Sequence, residues 1–307
     1  MPMAHALIVG NAMSVQTAIP AGKRVKNRSP WSEVWRRLKR NRMALIGLGI
    51  LVVMILLAIS AEYVAPYGFD DQDPIERAFL SPCLGFPFGT DNLGRDILSR
   101  IIFGARISLQ VGIIAVGISF VLGCIFGAIA GYYGNTWDNI IMRLMDVLLA
   151  IPGILLAITV AATLGPGIVN AMIAVGISGV PGFARVVRAS VLTVRGNEYI
   201  EAARAINASD FRIITKHILP NILAPVIVQA TLSVANAILM ASALSFLGLG
   251  VQPPIPEWGA MLSQGRLFLR DYPHVVIFPA VAIMLTVFGL NLFGDGLRDA
   301  LDPRLKR

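Results

Sequence analysis

Charge is what this sequence has least of. Only 14% of its 307 residues are Asp, Glu, Lys or Arg, while 56% are hydrophobic; soluble domains carry about 25% charged residues. A water-soluble globular domain is therefore excluded, and a chain that lives in a bilayer is indicated. Cysteine is nearly absent as well. Cys83 falls in a connecting loop and Cys124 inside an apolar run, so no disulfide is expected between them. The histidines, His5, His217 and His274, are too scattered for a metal cluster, and no metal or other cofactor is expected. There is no Gly-x-x-x-x-Gly-Lys-Ser/Thr phosphate loop, no His-Glu-x-x-His, no Cys-x-x-Cys and no Gly-x-Ser-x-Gly. The chain therefore has no recognisable catalytic residues, and an enzyme is not expected. No compact basic domain exists to hold a duplex, so nucleic acid is not an expected partner despite the net charge of +8.

What the chain has in quantity is long apolar runs. A hydrocarbon core about 30 Å thick needs roughly 20 apolar residues per helix. Six runs of that kind lie near 43–64, 107–131, 140–164, 168–188, 222–248 and 274–294. None alternates polar and apolar as a barrel strand does, and an open sheet leaves its backbone unsatisfied in lipid. The expected fold class is all-α, a polytopic protein with six transmembrane helices. Residues 1–22 lack the basic start and apolar core of a signal peptide, and the first run is too long for one, so it is expected to be an uncleaved anchor.

The placement of charge orients this bundle. Residues 23–42 hold nine basic residues against one acid, Glu33, whereas 65–106 hold four basic and six acidic residues. Basic residues flank the cytoplasmic ends of spans. The N-terminal tail, 1–42, is expected inside and the loop 65–106 outside; six crossings return the tail 297–307 to the cytoplasm and place 189–220 there as well. Within the first tail, WSEVWRRLKRNR is a basic amphipathic helix with Trp31, Trp35 and Leu38 on one face, expected at the membrane surface. In the outer loop, the stretch from Asp96 reads as a surface helix re-entering before the second span. Its Ile97, Ile101 and Ile102 share a face, with Arg95, Ser99 and Arg106 off it.

Inside the runs, Gly123 and Gly127 form a small-xxx-small pair that permits close helix approach, and Pro152, Pro181, Pro225 and Pro279 predict kinks. Arg143 and Asp146, one turn apart, are positioned to pair with each other. Nothing resembles a midplane proton relay. Gln229, Ser233 and Asn236 form one polar stripe at i, i+4, i+7, with Thr159, Thr163 and Ser178 as weaker examples. Such groups either line a hydrated path or bond helix to helix.

One passage breaks the apolar pattern: EYIEAARAINASDFRIITKHILPN, 198–221. Residues 198–206 are strong helix formers, and Asn207 is suited to the left-handed conformation that ends a helix. Ser209 or Asp210 then caps a second helix with Phe211, Ile214 and Ile218 on one face, which Pro220 stops. The result is an amphipathic helix-turn-helix elbow, a shape that suits a partner's groove or the membrane surface.

Glu201-Ala202-Ala203, then Asn207 where a glycine is usual, then Ile218-Leu219-Pro220 resemble the cytoplasmic EAA loop of ABC importer permeases. FGTDNLGRDILSRIIFGARISL (88–109), NILAPVIVQATL (221–232) and ALSFLGLGVQPPIPEWGAML (243–262) are similar to the C-type permease of the peptide and nickel branch. The resemblance spans about 30–305. It implies a type I importer permease (MetI-like) fold with a conserved core at 104–296, the first span lying outside it. It also implies the partners: a homologous second permease, two ABC ATPases and an external solute-binding protein. By the same resemblance the elbow couples to an ATPase, and the cargo is a dipeptide or oligopeptide, or alternatively nickel. A stand-alone secondary transporter or channel is the competing class.

Overall fold

The computed structural model describes residues 30–301. His5, the basic residues Lys23, Arg24, Lys26 and Arg28 of the first tail, the Trp31 side chain, and Arg304, Lys306 and Arg307 of the second tail lie outside the described residues.

The described chain is helical almost throughout: α1 (Pro30–Leu38), α2 (Arg42–Ile59), α3 (Ile97–Tyr133), α4 (Asn135–Leu149), α5 (Gly153–Leu164), α6 (Ile168–Arg195), α7 (Glu198–Ala205), α8 (Asp210–Phe246), α9 (Trp258–Gly265) and α10 (His274–Leu301). Five of these, α2, α3, α6, α8 and α10, are long and apolar enough to cross a membrane. The expected third span, 140–164, is not one rod: α4 and α5 meet at an angle of 89°. Pro152 causes the break. It has no N–H to continue the helical ladder and disfavours helical backbone at Ile151; its own ψ is 129°. Counting the bent pair as one span gives six. Pro181, Pro225 and Pro279, by contrast, sit inside continuous helices.

Three sequence expectations need correction, two at the end bearing the loop 65–96 and one in α1. The surface helix expected from Asp96 is the first turns of α3 itself, which runs unbroken for 37 residues. The Asp96 carboxylate caps it, accepting from the Ser99 N–H at 2.8 Å. Arg95 and Ser99, expected off the apolar face, are buried along with Ile97, Ile101 and Ile102. In α1 the buried side is Leu38, beside partly buried Val34, packed on Phe293 and Ala300 of α10. Trp35 instead stands half-exposed under the Lys39 ammonium. The α1 turn is thus held on the end of α10 by aliphatic contact.

The bundle is built on close approaches between helices. The most extensive pairing is α3 with α6. It is made by Gly123, Gly127 and Gly131, one per turn along α3, against Phe183, Ala184, Val187 and Val191 of α6. A Cβ at Gly127 would come within 2.5 Å of the Ala184 carbonyl oxygen. The small-xxx-small pair expected at Gly123 and Gly127 is therefore a real contact. The same device holds α2 on α10: a Cβ at Gly47 would lie 2.7 Å from both the Gly289 oxygen and the Phe293 nitrogen. Within lipid, such contacts must supply what the hydrophobic effect supplies in water. Apolar side chains such as Val53, Ile113 and Met284 point outward from the spans and are exposed.

Replacing Gly127 with Leu should overpack this seam at a cost of about 1–3 kcal/mol. Gly117, where an added Cβ meets nothing within 4 Å, should tolerate Leu. Thermal midpoints of the two purified variants, read by loss of the monodisperse peak, are expected to differ by several degrees; equal midpoints would refute the close approach.

Candidate functional site

The elbow is built as its residues dictate. Glu198 and Glu201 occupy the first turn of α7 and Arg204 the last, each on the favoured side of the helix dipole. Asn207 adopts φ +55°, the left-handed conformation expected of it. Its N–H bonds the Arg204 oxygen at 2.9 Å, and the Ala208 N–H bonds the Ala203 oxygen at 3.1 Å. Those two bonds are the Schellman closure of a helix end, completed here by Asn in the place usual for glycine. Ser209 then caps α8 through the Arg212 N–H.

The second arm departs from expectation. Ile213–Ile218 is a π-helical stretch, and α8 runs on through Pro220 into the membrane rather than stopping there. The wider turn relieves the clash of the proline ring with the preceding turn. The Asn221 amide donates to the His217 oxygen at 2.6 Å, satisfying a carbonyl near the break. The π turn also rotates the faces. Ile213 and Ile218 are fully buried, Ile214 is partly so, and Phe211 is 77% exposed. Phe211 is therefore not on the packed face.

The motif residues divide by exposure. Glu201, Ala202, Asn207 and Pro220 are exposed; Ala203 and Ile218 are buried against the bundle, and Leu219 is half-buried. Ile200 and Ala203 root α7 in the same core cluster as Ile213, Ile218 and Val187. The elbow is thus a projection with an outward face of Glu201 and Ala202.

The polar residues expected along a path are not assembled in one place. Gln229 lines a cavity of about 650 Å³ between α8 and α10, with Asn221, Pro225, Leu232 and Arg298. Its amide donates to the Ser233 hydroxyl at 3.2 Å. Asn236 is exposed one turn further on, directed at Met240. Thr159 and Thr163 bond back to carbonyls of α5, and Ser178 to the Val175 oxygen of α6. Sequence reasoning missed the charged ladder beside them. Asp146 pairs with Arg185 at 2.6 Å rather than with Arg143, and Asp138 pairs with Arg188 at 2.6 Å. These ties fasten α4 to α6 across 39 and 50 positions, so local spacing carried no sign of them.

At the opposite end lies a second polar assembly. Arg95 bonds Asp91 at 2.8 Å and Gln264 of α9 at 3.0 Å, and Arg100 donates to the Phe69 oxygen at 2.9 Å. Glu257 caps α9, accepting from the Gly259 and Ala260 N–H groups at 3.0 and 2.9 Å. The hydroxyls of Ser108 in α3 and Ser242 in α8 also reach it, and the Trp258 indole donates to the Ile101 oxygen at 3.1 Å. Burial pushes the Glu257 carboxyl above the usual carboxylate range, against the opposing effect of the hydrogen bonds it accepts from Gly259, Ala260 and Ser242. Among the described residues no group of His, Cys, Asp and Glu suits a metal.

A multi-span helical bundle with a projecting amphipathic elbow is the architecture of a membrane transport component. The model of the binding-protein-dependent transport system inner membrane component matches residues 123–307, and that of the N-terminal transmembrane domain of oligopeptide transport permease C matches 29–82. The dipeptide transport system permease protein DppC of Alkalihalophilus pseudofirmus is 51% identical over 278 residues, covering 91% of each chain. The glutathione transport system permease protein GsiD of Escherichia coli O157:H7 is 48% identical, covering 95% of this chain and 97% of that one. A solved inward-facing structure of the MetNI methionine ABC transporter matches with a TM-score of 0.53 at 19% identity, covering 66% of this chain and 96% of that one. This chain belongs to the inner membrane components of binding-protein-dependent transport systems, the permease subunits of ABC importers. It is an integral inner-membrane protein with the MetI-like permease fold.

Because Glu257 has a raised carboxyl pKa, its contribution to stability is present at low pH and declines as pH rises through that value. Glu257→Gln should flatten this dependence, and Glu257→Ala should cost about 1–2 kcal/mol through the lost cap. Thermal midpoints measured from pH 4 to 8 check both; an unchanged pH profile in Glu257→Gln would count against the buried carboxyl.

Proposed function

We propose that this chain forms half of the translocation pathway of an importer for dipeptides or oligopeptides. It pairs with a homologous second permease, two ABC ATPases that hydrolyse ATP, and an external solute-binding protein. The loop 65–106 faces outward; both tails and the segment 189–220 face the cytoplasm. Residues 104–296 form the permease domain, and α2 is an accessory span held on it by Gly47 and Gly289.

The observation that carries this reading is the elbow. Its Glu201 and Ala202 stand exposed midway along a short helix whose other face, Ile200 and Ala203, is rooted in the core. A rooted, amphipathic projection transmits force only if a partner grips its outer face. An ATPase groove that takes Glu201 and Ala202 would push Ile213, Ile218 and Leu219 with it, and the turn at Asn207 keeps the two arms at a set angle. A peptide cargo is supported by the two relatives named for dipeptide and glutathione transport; nickel remains the alternative to be tested in the same uptake assay. The residues Gln229, Ser233, Asn236, Thr159, Thr163 and Ser178 are the candidates for contact with the moving solute.

Two experiments test the reading. Glu201→Lys and Ala202→Asp alter only the outward face; each should reduce peptide uptake more than tenfold and strip the ATPases during purification, while membrane insertion is kept. Normal uptake with normal ATPase recovery would defeat the proposal. With Cys83 and Cys124 replaced by Ser, a cysteine at Asn207 should resist an impermeant thiol reagent in intact cells and react in inverted vesicles; the reverse pattern would turn the topology over.

A further inference from the structure

One residue outside every motif named above joins the elbow to the rest of the machine. Tyr132 is the penultimate residue of α3 and is 6% exposed. Its hydroxyl donates to the Asp210 carboxylate at 2.6 Å, and the Arg204 guanidinium lies 5.2 Å from the centre of its ring. Arg204 is in the last turn of the first elbow arm, and Asp210 opens the second. A single side chain therefore grips both arms on either side of the turn at Asn207. The end of α3 is held in its turn by Arg195 of α6, which donates to the Gly131 and Tyr132 carbonyls at 3.0 and 3.1 Å.

We propose that Tyr132 is the pin through which elbow motion enters α3. Three facts favour this over a merely local contact. A phenol bonded to a carboxylate is a charge-assisted hydrogen bond, stronger than a neutral one. The Arg204 contact adds a cation–π attraction on the ring face. And α3 is one unbroken helix of 37 residues, about 55 Å long at 1.5 Å per residue. Its far end holds Arg100 and Ser108 in the polar assembly around Asp91 and Glu257. A displacement of the elbow is thereby delivered along a rod to the opposite end of the bundle, where α9 and the loop 65–96 sit on the spans. Tyr132 acts as a positioning residue, and it touches no solute.

The inference rests on the elbow being the ATPase contact, so the test separates the two. In the complete transporter reconstituted in vesicles, Tyr132→Phe keeps the ring and removes only the hydroxyl. Solute moved per ATP hydrolysed should fall about tenfold, the loss expected of one hydrogen bond to a charged group. ATPase recovery should stay at the parent level. Asp210→Ala, which removes the acceptor, should lower the ratio similarly, and the double variant should fall no further, because both changes cut the same bond. Amide exchange across 198–212 should quicken in Tyr132→Phe. A parent-like transport ratio, additive losses in the double variant, or unaltered exchange would each overturn the pin. Loss of ATPase recovery in Tyr132→Phe would also overturn it, by making the residue part of docking. Failure of the docking reading shows separately, as retained ATPase in Glu201→Lys.

Discussion

The seam between α3 and α6 is the contact on which the other features depend. In a bilayer, apolar side chains gain nothing by leaving lipid for another helix, so association rests on packing and on polar contacts. Gly123, Gly127 and Gly131 remove the side chains that would hold the two helices apart, and Phe183, Ala184, Val187 and Val191 fill the space. Once these backbones touch, the flanking polar groups come into range. Arg195 reaches the carbonyls at the end of α3, and Arg185 and Arg188 reach back to α4. Neither contact forms if the helices stand a side chain further apart.

Polar groups are concentrated at the two ends of the bundle, and the physics differs between them. At the loop end Arg95, Arg100 and Asp91 are almost fully buried. Burying charge is expensive, and removing one partner of such a set typically costs about 3–5 kcal/mol. Such a set specifies one arrangement of loop, α3 and α9 rather than adding net stability. At the elbow end the charges are exposed. The outward Glu201 remains in reach of water, where an ion pair is worth little. Exposed charges on a rooted helix suit a surface that must bind and release a partner. The protein is thus rigidly locked at one end and open at the other, and α3 runs between the two.

Much of the elbow was legible in the sequence. The break at Asn207 and the cap at Ser209 follow from which residues tolerate left-handed backbone and which side chains accept from free N–H groups. An α-helical period puts Phe211 on the face of Ile214 and Ile218, whereas the side chain stands exposed. The π turn at Ile213–Ile218 shifts the register, and Pro220 gives only a weak hint of it. The candidates Thr159, Thr163 and Ser178 were legible as polar residues in spans but not as residues bonded to their own helices. Arg143 was paired with Asp146 on spacing alone, and Arg185 arrived from another helix to displace it.

By itself, then, the order of residues determined the class of protein, the number and rough limits of its apolar segments, the glycine pair and the outline of the elbow. Each of these is a local property: how oily a run is, where a side chain is missing, where the backbone can turn. Only the folded arrangement decided that the Arg95 region is core rather than surface, and that Tyr132 meets Asp210 across 78 positions. Those outcomes turn on which helices lie side by side, and a charge or a phenol takes the partner that packing brings to it, not the one nearest along the chain.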